Sequence, residues 1–208
     1  MKLYHYWRSS SSWRVRWAFA LKKIKCEWVH VGLLDGESES ESHLKRNPMG
    51  YVPALELPND VFIAESLAII HWAEKINPTP PLITGNPIEQ SITLQLAELI
   101  NAGTQPLQNL TCTYEHSADP IEQKRWMRFW TEKGLNAYET VCQKWAKDFS
   151  IGNQISLADL CLIPQCYNAL RQELDLKKFP TIYRIYNNAI QTPECISSHP
   201  DQFDPSRI

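Results

Sequence analysis

The spacing of hydrophobic and polar positions divides the chain into two patterns. Residues 2–7 (Lys-Leu-Tyr-His-Tyr-Trp) and 26–31 (Cys-Glu-Trp-Val-His-Val) are short apolar and aromatic runs that predict strands. Between them, helical periodicity over residues 11–23 predicts a helix. Val52-Pro53-Ala54-Leu55-Glu56-Leu57 and Val61-Phe62-Ile63-Ala64 flank the turn residues Pro58-Asn59-Asp60, which reads as a hairpin. Ser66 is placed to cap a helix that runs to about Ile76 and stops at Asn77-Pro78. The order βαβ, short helix, ββα describes a small mixed sheet flanked by helices.

Beyond the stiff break Pro78-Thr79-Pro80-Pro81, the pattern is helical. Gly85-Asn86-Pro87 restarts the chain with proline in a first helical turn, and long periodic segments cover 88–111 and 120–147. Ser156 and Asp159 have capping-box spacing, with Ile155 and Leu160 as a hydrophobic staple. Pro180 opens a last helix that Pro193 ends. The expected organisation is an α/β domain over residues 1–80 followed by an all-α domain over 87–208. Residues 35–42 (Asp-Gly-Glu-Ser-Glu-Ser-Glu-Ser) are of low complexity and read as a mobile, solvated loop.

A net charge of −2 without a basic cluster gives no electrostatic case for nucleic acid. No apolar run reaches the ~20 residues of a membrane span, and the start of the chain lacks a signal-peptide pattern, so a cytoplasmic protein away from membranes is expected. Six cysteines without a Cys-x-x-Cys pair read as small buried hydrophobes, and the dispersed histidines give no metal-ligand spacing.

Candidate chemistry concentrates in the first half. Ser9-Ser10-Ser11-Ser12 lies between a strand and a helix, where unpaired N–H groups and a partial positive charge face outward. The serines either cap and solvate the turn, or one hydroxyl is spared to donate to an anion or thiolate. Pro53 deletes a ladder donor at a strand entry; the Val52-Pro53 bond is either an ordinary trans bond at a sheet edge or a cis bond that leaves backbone groups free for an extended ligand. Glu65-Ser66 at a helix start is either a cap beside a surface acid or a carboxylate and ammonium site.

Together, Tyr6-Trp7-Arg8-Ser9-Ser10, Ser12-Trp13-Arg14-Val15-Arg16, Asn47-Pro48-Met49 with Val52-Pro53, Ser66-Leu67-Ala68-Ile69-Ile70, Gln105-Pro106-Leu107-Gln108-Asn109-Leu110 and Ala158-Asp159-Leu160-Cys161-Leu162 with Pro164-Gln165 resemble the zeta-class glutathione transferases, the maleylacetoacetate isomerase family. The resemblance spans almost the whole chain in the family's order. It implies a thioredoxin-like N-terminal domain, an all-helical C-terminal domain, a homodimer and glutathione as cofactor. The implied activity is glutathione-dependent cis–trans isomerisation of maleylacetoacetate to fumarylacetoacetate in tyrosine and phenylalanine catabolism, by reversible thiolate addition. It further implies that Ser9 donates to the glutathione sulfur, assisted by Ser10 and Ser11 at the helix start. Val52 before a cis Pro53 would pair with the cysteinyl backbone, Glu65 and Ser66 would hold the γ-glutamyl end, and Gln105 and Asn109 would contribute from the helical domain. Arg8 and Arg171, otherwise solvated or ion-paired surface residues, would bind the carboxylates of a small electrophilic dicarboxylate substrate.

Three positions depart from the family: Ser11 stands where Cys is usual, Glu65 where the nearest relatives carry Gln, and Ser38 about where a glutathione-contacting Gln falls. Two rival readings share these residues: a general glutathione transferase acting on electrophiles such as α-haloacids, and a non-catalytic glutathione-transferase-like interaction module.

Overall fold

In the computed structural model, which describes residues 1–207, strands β1 (Lys2–His5), β2 (Glu27–His30), β3 (Ala54–Leu57) and β4 (Val61–Ala64) form one mixed sheet in the order β2-β1-β3-β4. β1 and β2 are parallel, with Leu3 opposite Trp28, while β3 runs antiparallel to both β1 and β4. A parallel pair requires a crossover, and helix α1 (Ser10–Leu21) supplies it. The hairpin turn Pro58–Asp60 places Asn59 at φ 63°, a left-handed conformation that asparagine tolerates. This is the thioredoxin-like arrangement. The reading of residues 35–42 as a mobile loop is corrected: Glu37–Glu39 form a 3-10 turn, Glu37 accepts the Gly32 N–H at 2.7 Å, and Ser40 caps the short helix α2 (Glu41–Leu44). Ser38 is buried within that turn.

α1 packs against helix α3 (Ser66–Ile76), and Leu3, Val15, Trp17, Phe19, Leu55, Ile69 and Ala73 are fully buried. α1 is buried on nearly all sides because the end of the chain also returns to it. The expected helical domain of 87–208 is therefore corrected. Contacts divide the chain into Leu82–Thr192 and a second unit made of Met1–Pro81 with the chain from Pro193 onward. Trp13 Nε1 and Arg16 Nε, both buried, find their partners on Ser198, at the end of a short helix of residues 193–198, at 3.1 Å each.

The Leu82–Thr192 unit comprises α4 (Pro87–Asn101), α5 (Leu110–His116), α6 (Pro120–Cys142), α7 (Leu157–Arg171) and α8 (Pro180–Ala189). α7 is buried over most of its length and starts with the capping box that the spacing predicts: Asp159 Oδ2 accepts from Ser156 N and Oγ at 2.8 and 2.7 Å. α8 begins after Phe179, which offers no cap, and Glu139 of α6 accepts the N–H groups of Thr181 and Ile182 instead, at 2.9 Å each.

The single helix expected over 88–111 is broken. α4 ends at Asn101, Gln105–Gln108 make a 3-10 turn, and α5 starts at Leu110. Gly103 and Pro106 explain the break, since glycine weakens a helix and proline removes a ladder donor. The turn is pinned by Thr104, whose Oγ1 donates to Leu99 O at 2.7 Å and which packs against Gly134 of α6. A Cβ on Gly134 would overlap Thr104 Oγ1 and lie 2.6 Å from its Cγ2. Gly134→Ala is therefore expected to destabilise the protein by ~1–3 kcal/mol in urea unfolding, the cost of overpacking a fixed neighbour exceeding the ~1 kcal/mol helix-propensity gain.

None of the six cysteines forms a disulfide; Cys142, Cys161, Cys166 and Cys195 are buried, and burial pushes the thiols of Cys142 and Cys195 up to about 12. Among the described residues no helix is long and apolar enough to cross a membrane, and no cluster of His, Cys, Asp and Glu could hold a metal ion.

Candidate active site

Ser9 is the N-cap of α1, in extended conformation (φ −66°, ψ 124°). Its backbone is fixed at both ends: its N–H donates to Tyr6 O at 3.1 Å and its carbonyl accepts from Trp13 N at 2.9 Å. Its Oγ accepts the Ser12 N–H at 3.2 Å. That capping bond uses a lone pair and leaves the hydroxyl hydrogen to donate. The hydroxyl sits where N–H dipoles converge, in a first turn with no acidic residue to compete for them. Ser10 and Ser11 are the first two helical residues, buried and half-buried respectively, and Ser12 is fully buried. Beside them Arg8 is held by the Tyr6 hydroxyl (Nη2 to Oη 2.9 Å) and lies 4.9 Å from the Trp7 ring centre.

The Val52–Pro53 peptide bond is cis, as the family resemblance implies and the bare dipeptide does not. The preceding carbonyl, Tyr51 O, accepts from His43 Nε2 at 3.0 Å and Asn47 Nδ2 at 2.9 Å. Both donors are buried, so the loop carrying Val52 is anchored from beneath.

At α3 the cap assignment is corrected. Glu65, at φ 67° and ψ 117°, occupies the N-cap position without a side-chain cap bond, and Ser66 is the first helical residue. A left-handed φ at glutamate costs ~1–3 kcal/mol and persists where surrounding structure enforces it, often at functional sites. Ser66 is 3% exposed, and its Oγ accepts from Arg14 Nη1 at 3.3 Å. The guanidinium thus fills an acceptor position of Ser66 and leaves the O–H to donate elsewhere. The first-turn N–H groups of α3 carry no side-chain cap and form an anion-receptive end.

Gln105, Asn109 and Arg171 belong to the Leu82–Thr192 unit. Gln105 starts the 3-10 turn. Asn109 is the N-cap residue of α5 but makes no side-chain cap bond. Gln108, unassigned from sequence, is the anchor of this segment: its Oε1 accepts from Gln165 and Gln172 at 3.1 and 3.2 Å, and its Nε2 donates to Thr104 O at 3.2 Å. Arg171 ends α7, exposed, with Nη1 3.5 Å from Asn168 Oδ1. An open depression of about 580 Å³ lined by Tyr4, Arg46, Glu56 and Phe62, among others, contains none of the candidate glutathione- or substrate-binding residues.

Sequence reasoning also missed Arg14, Arg16, His43 and Asn47. The signal for the arginines was their position between Trp13, Val15 and Trp17 in a helix without a separate polar face.

A thioredoxin-like sheet, a serine hydroxyl at the start of α1, a cis proline before β3 and an uncapped α3 define a protein of the glutathione transferase class. Residues 3–81 match the family described as glutathione S-transferase, N-terminal domain. Maleylacetoacetate isomerase of Dictyostelium discoideum is 38% identical over 203 residues, 95% of this chain and 92% of that protein. Glutathione S-transferase zeta class of Euphorbia esula is 38% identical over 205 residues, 97% of this chain and 91% of that protein. Maleylacetoacetate isomerase from Anaeromyxobacter dehalogenans has been solved with bound GSH in the active site; it is 38% identical, with a TM-score of 0.89, covering 98% of this chain and 96% of that one. A second structure of it, with bound dicarboxyethyl glutathione and citrate, gives 37% identity and a TM-score of 0.88 over the same shares. The chain belongs to the zeta-class glutathione transferase family, that of the maleylacetoacetate isomerases.

Proposed function

We propose that this chain catalyses the glutathione-dependent cis–trans isomerisation of maleylacetoacetate to fumarylacetoacetate. The observation that carries the reading is the hydroxyl of Ser9, whose hydrogen its own cap geometry leaves available, in a chain similar to maleylacetoacetate isomerases over 95% of its length. The residues fit glutathione by the chemistry of their donors. Ser66 has a buried O–H left to give, α3 offers uncapped N–H groups to a carboxylate, and Glu65 offers an acceptor to an ammonium. When bound there, glutathione would supply a thiolate nucleophile for reversible addition to the cis double bond.

In this reading Ser9 donates to the sulfur, and Ser10 and Ser11 contribute the N–H dipoles of the first turn. A thiol with pKa of about 8.5 is mainly ionised at neutral pH after a drop of ~2 units, which requires about 2.7 kcal/mol of preferential anion stabilisation. One charge-assisted hydrogen bond contributes ~1.5–3 kcal/mol and a helix end ~0.3–1 kcal/mol, so the two suffice. Ser66 and the start of α3 take the γ-glutamyl carboxylate, Glu65 its ammonium, and the backbone of Val52, ahead of Pro53, the cysteinyl unit. Gln105 and Asn109 add amide contacts. Arg8 and Arg171 hold the substrate carboxylates and stabilise the negative charge that develops during addition. The same reading makes the working form a cytoplasmic homodimer.

The test is isomerisation followed by proton NMR with glutathione far below the substrate concentration. Trans product accumulating while glutathione is recovered unchanged supports the reading. A thioether or hydrolysed product with glutathione consumed favours a general transferase acting on α-haloacids. Failure to bind a glutathione resin at all leaves an interaction module.

A further inference from the structure

Arg16 is 1% exposed and its guanidinium is spent on one purpose. Nη2 donates to Trp7 O at 2.9 Å, and Nη1 reaches Tyr6 O at 3.4 Å and His5 Nδ1 at 3.2 Å. Nε donates to Ser198 O at 3.1 Å, and the ring of Phe203 lies 4.6 Å from the guanidinium carbon. Arginine only donates, so His5 Nδ1 accepts and its proton sits on Nε2. Burial and the neighbouring Arg16 charge drive His5 down to about 3, so it is neutral at physiological pH. Burial lowers Arg16 to about 9, which leaves it charged. Among the described residues no carboxylate lies within ion-pair distance of it.

A buried cation that is answered only by carbonyls and a neutral imidazole is costly, and an apolar residue would fill the same space more cheaply. The carbonyls it binds indicate its use. Tyr6 O also accepts the backbone N–H of Ser9, so Arg16 and Ser9 share one acceptor, and Trp7 O is the next carbonyl in the same turn. A fork of donors thus clamps the turn that aims Ser9. The clamp is closed from below by the end of the chain. Ser198 accepts from Arg16, Trp13 Nε1 donates to Ser198 Oγ at 3.1 Å, and Phe203 covers the guanidinium while meeting His5 and Trp28 edge to face at 5.4 and 5.3 Å.

We propose that Arg16 is a positioning residue for Ser9, fixing the Tyr6–Ser9 turn and lending its unneutralised charge to the ionised sulfur of bound glutathione, and that the segment after Pro193 is part of this device. The proposal rests on the role given to Ser9 above. A purely structural Arg16 would lower the unfolding temperature and leave the ligand's thiol unchanged; a positioning Arg16 moves that thiol.

The experiment is a pH titration of the thiolate ultraviolet absorbance of glutathione bound to the full-length protein, for wild type, Arg16→Gln, Arg16→Lys, Phe203→Ala and Ser9→Ala. Arg16→Gln is expected to raise the bound thiol's pKa by about one unit, a tenfold loss of thiolate well below the midpoint. Arg16→Lys, which keeps charge but cannot reach Tyr6 O, Trp7 O and Ser198 O together, recovers part of the shift. Phe203, half-buried, can be removed with less risk to folding; Phe203→Ala exposes the guanidinium to water and shifts the titration the same way by a smaller amount. If Arg16→Gln does not fold, Arg16→Lys and Phe203→Ala decide. Wild-type titration in the Arg16 and Phe203 variants alongside a raised pKa in Ser9→Ala overturns the proposal alone. Wild-type titration in Ser9→Ala as well overturns the Ser9 role and the proposal with it.

Discussion

Ser9→Ala is expected to lower the isomerisation rate by about 10- to 150-fold at neutral pH, while glutathione still binds. The loss is one charge-assisted hydrogen bond of ~1.5–3 kcal/mol, converted at about 1.4 kcal/mol per decade. The helix end remains, because the first-turn N–H groups of α1 do not depend on residue 9 for their direction. Binding survives because the γ-glutamyl contacts proposed for Glu65 and Ser66 are built on α3, with Arg14 behind Ser66. Steady-state kinetics separates the two effects: kcat falls and the KM for glutathione stays within a few-fold. Turnover equal to wild type would remove Ser9 from the mechanism.

The second large effect is on folding. Asp159 is fully buried and accepts three bonds, from Ser150 N at 2.9 Å, Ser156 N at 2.8 Å and Ser156 Oγ at 2.7 Å. Asp159→Ala removes a helix cap worth ~1 kcal/mol and leaves buried donors without acceptors at ~1–3 kcal/mol each. The expected cost is ~3–5 kcal/mol, a large part of the stability of an ordinary domain. Asp159→Asn recovers part of it, since its oxygen can accept from one backbone N–H but its NH2 then faces another donor. Desolvation raises the Asp159 carboxyl above the usual range, against the bonds from Ser150 and Ser156 that favour the charged form. The folded chain thus holds that proton more tightly than the unfolded chain. Stability from this group is greatest in acid and declines as pH rises from the ordinary aspartate range through the raised value. Urea midpoints of wild type and Asp159→Ala across that window should converge as pH rises. A midpoint unchanged by Asp159→Ala would refute the account.

What could be read from residues alone was local. The hairpin, the helix of residues 66–76 and the Ser156/Asp159 box each depend on neighbours within a few positions, and each is where the pattern places it. Glu65 was harder. Its φ of 67° places it, and not the better capping residue Ser66, at the N-cap, where capping preference alone assigns Ser66. The Glu-Ser stretch looked soluble because alternation hides that Ser38 turns inward and Glu37 folds back on Gly32. The return of the chain end onto Trp13 and Arg16 spans more than 180 positions, and no periodicity reports such a contact. Of the proposed site, Ser9 to Ser11, Val52 to Pro53, Glu65 and Ser66 stand out as motifs. Their supports Arg14, Arg16, His43 and Asn47 were not, because a buried charged or polar side chain announces itself only through its three-dimensional partners.

A hydroxyl at residue 11, where the family resemblance implies a thiol, has a consequence for chemical durability. The segment 8–12 carries no cysteine, Cys161 and Cys166 are sealed inside α7, and burial pushes Cys26 up to about 12, as it does Cys142 and Cys195. Peroxides and alkylating agents attack thiolates, so they find little purchase on this helix start. In the proposed reaction the reactive sulfur arrives with each tripeptide and leaves with it, so oxidative damage at this helix start falls on a replaceable molecule.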